Sequence, residues 1–220
     1  MGQRALRPLL RNALRIFHAH VCVERALLRN HSLAFAALFV ALAILMSPTV
    51  HALTFGSPVR ITTNTGTSEY PSVAASGSYV YVAWEDHTPV AGSGTQPEIW
   101  TRVSSNNGAS FGSAIRISTN TYDLTLASVA ASGGYVYVAW QDSTPVTGSG
   151  SSPEIWMRLS SNGGASFGSA VRISYDTSGS FLASAVIAGG YVYVAWQDDL
   201  PVAGSGTAPE IWVWLWPPPL

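Results

Sequence analysis

The chain has 220 residues, a formal net charge of −1 and only 10% charged residues against 47% hydrophobic ones, and its 11 basic residues are all arginine. That length suits one domain, or a smaller one with a leader, and a lysine-free, weakly charged chain is a poor match to a nucleic-acid phosphate backbone. The single cysteine, Cys22, leaves no disulfide, thiolate metal site or cysteine nucleophile anywhere after it.

The first fifty residues read as a targeting segment, with a signal helix as its expected structure. Arg4, Arg7, Arg11, Arg15, Arg25 and Arg29 lead into an apolar run from Leu33 to Met46, and Val50-His51-Ala52 is a small-residue cleavage site. The apolar run is shorter than the roughly 20 residues a spanning helix needs. An uncleaved anchor is the alternative, and it would be the chain's one route to a membrane. Cleavage after Ala52 would place the product outside the cell or in the envelope. It would also leave five arginines against eleven acids, a net charge of −6.

Beyond residue 52 the chain repeats itself. Phe55, Phe111 and Phe167 are 56 residues apart, as are Trp84, Trp140 and Trp196, and Trp100, Trp156 and Trp212. Within each unit the elements read as β. "SVAAS" at 72–76 is a short first strand. "YVYVAW" at 79–84 is β-branched and aromatic with apolar residues on both faces, so it must lie between two packed layers. "EIWTRVS" at 98–104 is the third strand, and "FGSAIRIS" at 111–118 the fourth, after an Asn/Gly turn. The fold class expected is all-β, with propeller-type blades of four antiparallel strands. An isolated fourth strand is expected at 54–62, then blades at about 70–118, 126–174 and 182–216.

The turn before the fourth strand resembles the Asp-box, or BNR repeat, of the sialidase-like propellers. Ser104, Asn106, Gly108, Ser110 and Phe111 fill its five characteristic positions, and Ser160, Asn162, Gly164, Ser166 and Phe167 fill them again. Thr54-Phe55 resembles the tail of another copy. The family's Asp is Asn in both boxes, which keeps the turn acceptor and loses the charge. Gly supplies the φ > 0 residue, the Asn and Ser side chains bond to turn backbone, and the aromatic plugs the hairpin into the blade.

The resemblance implies a search for a sialidase set: three arginines on a sugar carboxylate, a Tyr/Glu nucleophile pair and an aspartate. The five arginines after residue 52 all belong to repeat series. Arg60, Arg116 and Arg172 fall on the outer fourth strand, Arg102 and Arg158 on the third, so no clamp is expected. Glu69-Tyr70 breaks the repeat, since Leu126 and Leu182 replace the tyrosine; without a clamp it reads as a loop tyrosine before Pro71. His87 reads as a loop histidine.

The remaining candidates are repeated acids. Asp86, Asp142 and Asp198 follow the second strand, and Glu98, Glu154 and Glu210 open the third. With loop carbonyls such pairs could hold Ca²⁺. The other reading is that Asp caps the turn and Glu sits at a solvated strand end. No other cofactor is expected. The Gly/Ser/Pro loops between these acids lie where propellers bind ligands, so a glycan or an extracellular protein is the expected partner. The alternatives are a sialidase-like hydrolase or a fragment of one. After "PEIW" the third unit reads Val213-Trp214-Leu215-Trp216, with no turn box and no fourth strand, so its open edge is expected to self-associate.

Overall fold

The computed structural model describes residues 56–92, 95–119, 122–148, 152–204 and 206–217. The chain divides into two units, Met1–Gly56 and Ser57–Leu220. The expected signal segment, its cleavage site and Thr54-Phe55 lie outside the described residues.

Every regular element among the described residues is a strand. The first sheet is β1 (Ser68–Ser76), β2 (Tyr79–Asp86), β3 (Glu98–Ser104) and β4 (Ile115–Arg116). The second is β5 (Leu124–Ser132), β6 (Tyr135–Asp142), β7 (Glu154–Ser160) and β8 (Val171–Arg172). The third is β9 (Ser180–Ala188), β10 (Tyr191–Asp198) and β11 (Glu210–Trp216). Each is an antiparallel meander in chain order, and among the described residues the third sheet has three strands.

Three expected boundaries need correction. The first strands begin earlier than 72, because each contains a bulge: β1 pairs Glu69 with Glu85 and then Ser72 with Ala83. At that bulge Tyr70, Leu126 and Leu182 have φ of 49°, 58° and 57°. Tyr70 is therefore a strand residue at a bulge, where Pro71 removes no ladder bond. The fourth strands shrink to two residues, because the ladder is taken over by a side chain: Ile117 N donates to Ile99 O, but Ile99 N donates to Ser118 Oγ at 2.7 Å. Residues 56–62 form no strand. A two-residue edge strand exists only by pairing with a third strand, and none of the described residues lies beside Val59-Arg60 in that way.

The sheets stack face to face. On β2 one face carries Val80, Val82, Trp84 and Asp86, the other Tyr79, Tyr81, Ala83 and Glu85. Tyr81, Ala83 and Ile99 from the second face of the first blade pack on Val129, Val136, Val138 and Trp140 from the first face of the next. One repeat on, Tyr137, Ala139, Ile155 and Met157 pack on Val192, Val194 and Trp196. Serine hydroxyls cross both seams: Val129 N donates to Ser72 Oγ at 3.1 Å, and Ala185 N to Ser128 Oγ at 2.9 Å. "YVYVAW" is thus buried on both sides in the middle blade and more fully on one side than the other in the outer two, where Val80 and Val82 of β2 and Tyr193 and Ala195 of β10 are half-buried.

Candidate functional site

The Asn/Gly turns form as their residues dictate. Ser104 Oγ donates to Asn106 Oδ1 at 2.8 Å and accepts from Gly108 N at 2.9 Å. Asn106 Oδ1 also accepts from Ser110 N at 3.0 Å, and its Nδ2 donates to Ser110 Oγ. Ser160, Asn162, Gly164 and Ser166 repeat every one of these contacts. Asn107 and Gly108 have φ of 58° and 84°, so two successive left-handed residues are needed. Phe167 is half-buried against the seam between the first two blades, and Phe111 is half-buried too.

The repeated acids sit deep in the fold. Asp86, Asp142 and Asp198 are nearly fully buried. In each, one oxygen accepts the indole N–H two residues back and the other accepts the backbone N–H two residues on. Asn64 and Ser68 add two more donors to Asp86. Burial raises the Asp86 carboxyl, but the bonds from Thr88, Trp84 and Asn64 outweigh it and hold the group below its usual value. These aspartates cap turns and anchor indoles.

The expectation that the glutamates sit at solvated strand ends fails for Glu98 and Glu154, both wholly buried. The reason is the fourth strand. Arg116 and Ser118 both bond to the Glu98 carboxylate, and Ser174 bonds to Glu154 with Arg172 3.9 Å away. Burial pushes the Glu154 carboxyl up to about 7. Glu210 occupies the equivalent position on β11, half-exposed, without a fourth strand against it. Arg116 thereby latches its own blade, whereas Arg172 approaches Glu154 without a hydrogen bond and lies over the Tyr175 ring. Arg60 is exposed, and its Nε donates to Thr62 O.

Two features were not anticipated. The first is a duplicated cradle beneath the loop that follows the second strand. In the first blade Trp84, Asp86, Thr88, Trp100 and Arg102 line a cavity of about 160 Å³. In the second, Trp140, Asp142, Thr144, Trp156 and Arg158 line one of about 100 Å³. Both cradles hold the same buried donors without a protein partner: Trp100 Nε1 and Arg102 Nε, then Trp156 Nε1 and Arg158 Nε. Buried polar atoms are normally satisfied, by protein or by ordered water, so the matched sets mark two polar sites of the same kind one repeat apart. Burial pushes the Arg158 guanidinium down, with Glu98 acting against it. The third unit has Leu200 and Trp214 in place of the Thr and Arg.

The second feature is a cluster in single copy. Glu69, Glu85 and His87 bring one ligand atom each within 4.8 Å of one another, across the bulge. Glu85 is buried, with Oε1 bonded to His87 Nε2 at 3.0 Å and Oε2 unpartnered. This group could hold a cation. The signal was present in the sequence: Gln141 and Gln197 stand at the position of Glu85, and Ser143 and Asp199 at that of His87.

The geometry defines an all-β array of face-packed, propeller-type blades with a repeated internal cradle. Comparison with known families gives a match to the LVIVD repeat at residues 70–88, 126–144 and 183–202, which covers the hairpin of the first two strands in each blade. No curated protein sequence matches the chain. Among solved structures, Trypanosoma rangeli sialidase with the inhibitor DANA aligns at a TM-score of 0.46 and 14% identity, over 68% of this chain and 29% of that one. The parainfluenza virus 5 hemagglutinin-neuraminidase ectodomain aligns at 0.47 and 13%, over 90% and 48%. Penicillium chrysogenum alpha-L-arabinanase with arabinobiose aligns at 0.41 and 13%, over 68% and 57%. The chain spans from under a third to just over half the length of these structures.

Proposed function

We propose that the chain is a secreted or envelope-associated, sialidase-like Asp-box propeller module that binds glycan without cleaving it. The duplicated cradle carries this reading. Each cradle gathers an indole N–H and a guanidinium N–H at the floor of a small aromatic-walled space. Acceptor oxygens beside C–H faces, the chemistry of a sugar edge, satisfy such a set. Two equal cradles one repeat apart favour a ligand that itself repeats, since the second contact then forms at high effective concentration. The cavities take a projecting group of a sugar chain, not a whole ring. A glycan array on the purified chain tests this, with the Arg102→Ala/Arg158→Ala double variant as comparison. Binding that falls tenfold or more in the double variant supports the reading; no binding, or binding the variant leaves intact, overturns it.

A second reading, a glycoside hydrolase, is favoured by one observation: Glu69, Glu85 and His87 form a carboxylate-rich cluster in one copy only, as a single reaction centre would. Release of a fluorescent aglycone from a sialoside, abolished by Glu85→Gln, would establish it.

A further inference from the structure

The two outermost faces of the stack are complementary. Ile211, Val213 and Leu215 of β11 are 74%, 61% and 49% exposed, whereas Ile99 and Ile155, which hold the position of Ile211 in the earlier blades, are fully buried under the next blade. On the opposite side Val73 is 68% exposed, while Val129, its counterpart one repeat on, is 4% exposed. What covers Ile99 and Ile155 is the face to which Val73 belongs. Both seam faces therefore recur on the outside with no further blade packed on them among the described residues.

The polar groups of the seam are also present in halves. Among the described residues no fourth strand brings an arginine or serine to Glu210. Arg60-Ile61-Thr62 reproduces Arg116-Ile117-Ser118 and Arg172-Ile173-Ser174 at the repeat interval. Its local shape already matches: Arg60 Nε donates to Thr62 O at 2.7 Å, as Arg116 Nε does to Ser118 O at 2.8 Å. Ile61 is half-exposed, where Ile117 and Ile173 are buried. Ser184, the counterpart of Ser72 and Ser128 whose hydroxyls accept across the internal seams, is exposed on β9.

We propose that two copies of this chain pair head to tail, each lending residues 59–62 to the other as the fourth strand beside β11. Arg60 and Thr62 of one copy then close on Glu210 of the other, and Ser184 accepts a backbone N–H near Val73. The register follows from the internal blades, where Trp100 pairs with Arg116 and Thr101 with Ile115. In the pair, Trp212 lies opposite Arg60, and Val213 opposite Val59. Head-to-tail contacts either close or run on as filaments. The three blades among the described residues, taken twice, make six, within the usual range of about 4–8 for a closed propeller, whereas three copies would make nine. The assembly is a closed pair.

The test uses the full chain carrying Cys22→Ser, with Val59→Cys and Val213→Cys added, both at exposed positions. Mild oxidation should give a disulfide-linked species of twice the chain mass on a non-reducing gel, and none from either single variant. Separately, Glu210→Arg and Arg60→Glu should each shift the chain from dimer to monomer in sedimentation, and the two together should restore the dimer. A chain that is monomeric throughout, that cross-links within itself, or that forms species of indefinite length overturns the proposal, as does a dimer that charge reversal leaves untouched.

Discussion

Asp176 stands where Asn64 stands two repeats earlier, and it faces Asp198 as Asn64 faces Asp86. The amide of Asn64 donates to the Asp86 carboxylate. Asp176 has no such hydrogen unless protonated, and burial first, then Asp198, raises its pKa. Asp176→Asn should restore the donor. We expect the variant to melt higher than the parent at neutral pH, with the gap closing in acid as Asp176 takes up its own proton. A thermal melt series across pH reads this directly; equal melting at pH 7 would count against the pairing.

Glu154 gives stability the opposite dependence to a typical salt-bridged acid. Its carboxyl is raised from an ordinary 4.5 to about 7, chiefly by burial. The folded chain therefore holds this proton more tightly than the unfolded one. The resulting stabilisation is fully present below pH 4.5 and is lost as pH rises through 7. In Glu154→Gln, the decline in Tm over that window should flatten.

The two turn glycines should differ in sensitivity. Gly108 and Gly164 both have φ above 80°, so alanine strains either backbone by about 1 kcal/mol. At Gly108 an added Cβ meets only Val80, at 3.9 Å. At Gly164 it would lie 2.9 Å from Val103 and 3.2 Å from Tyr81 of the preceding blade. Overpacking adds roughly 1–3 kcal/mol, so Gly164→Ala should unfold at distinctly lower denaturant than Gly108→Ala.

Asn106 should tolerate one substitution and not another. Its Oδ1 accepts from Ser104 and Ser110, and its Nδ2 donates to the Ser110 hydroxyl, which can rotate to donate instead. Asn106→Asp should stay within about 0.5 kcal/mol of the parent in chemical denaturation, whereas Asn106→Ala should cost about 1 kcal/mol or more through loss of the turn acceptor.

Local chemistry explains what the sequence made legible. The 56-residue interval, "YVYVAW" and "EIWTRVS" specify strands through patterns that need no distant partner. The Ser/Asn/Gly turns close within five residues. The burial of Glu98 was hidden because it depends on Arg116 and Ser118, brought over it by the fourth strand. The Glu69–Glu85 approach was hidden because a bulge sets that register. Tyr70 drew attention as the residue that differs from its repeats, but the more informative departures were Glu85 and His87 on the paired strand. The cradle was invisible because Thr88, Trp100 and Arg102 come from separate elements.

The repeat in the sequence and the blade in the structure are out of step by one strand. Ser118 and Thr119, just past β4, line the cradle of the second blade, although β4 itself belongs to the first. Each junction is thus a hinge pin, held by one blade and lodged in its neighbour. Withdrawing the pin costs the first blade its latch on Glu98 and opens the second blade's interior together. Nearest-neighbour coupling of this kind makes adjacent units lose structure as one. Hydrogen exchange along the array should therefore report joint openings spanning a seam, instead of blades that breathe independently.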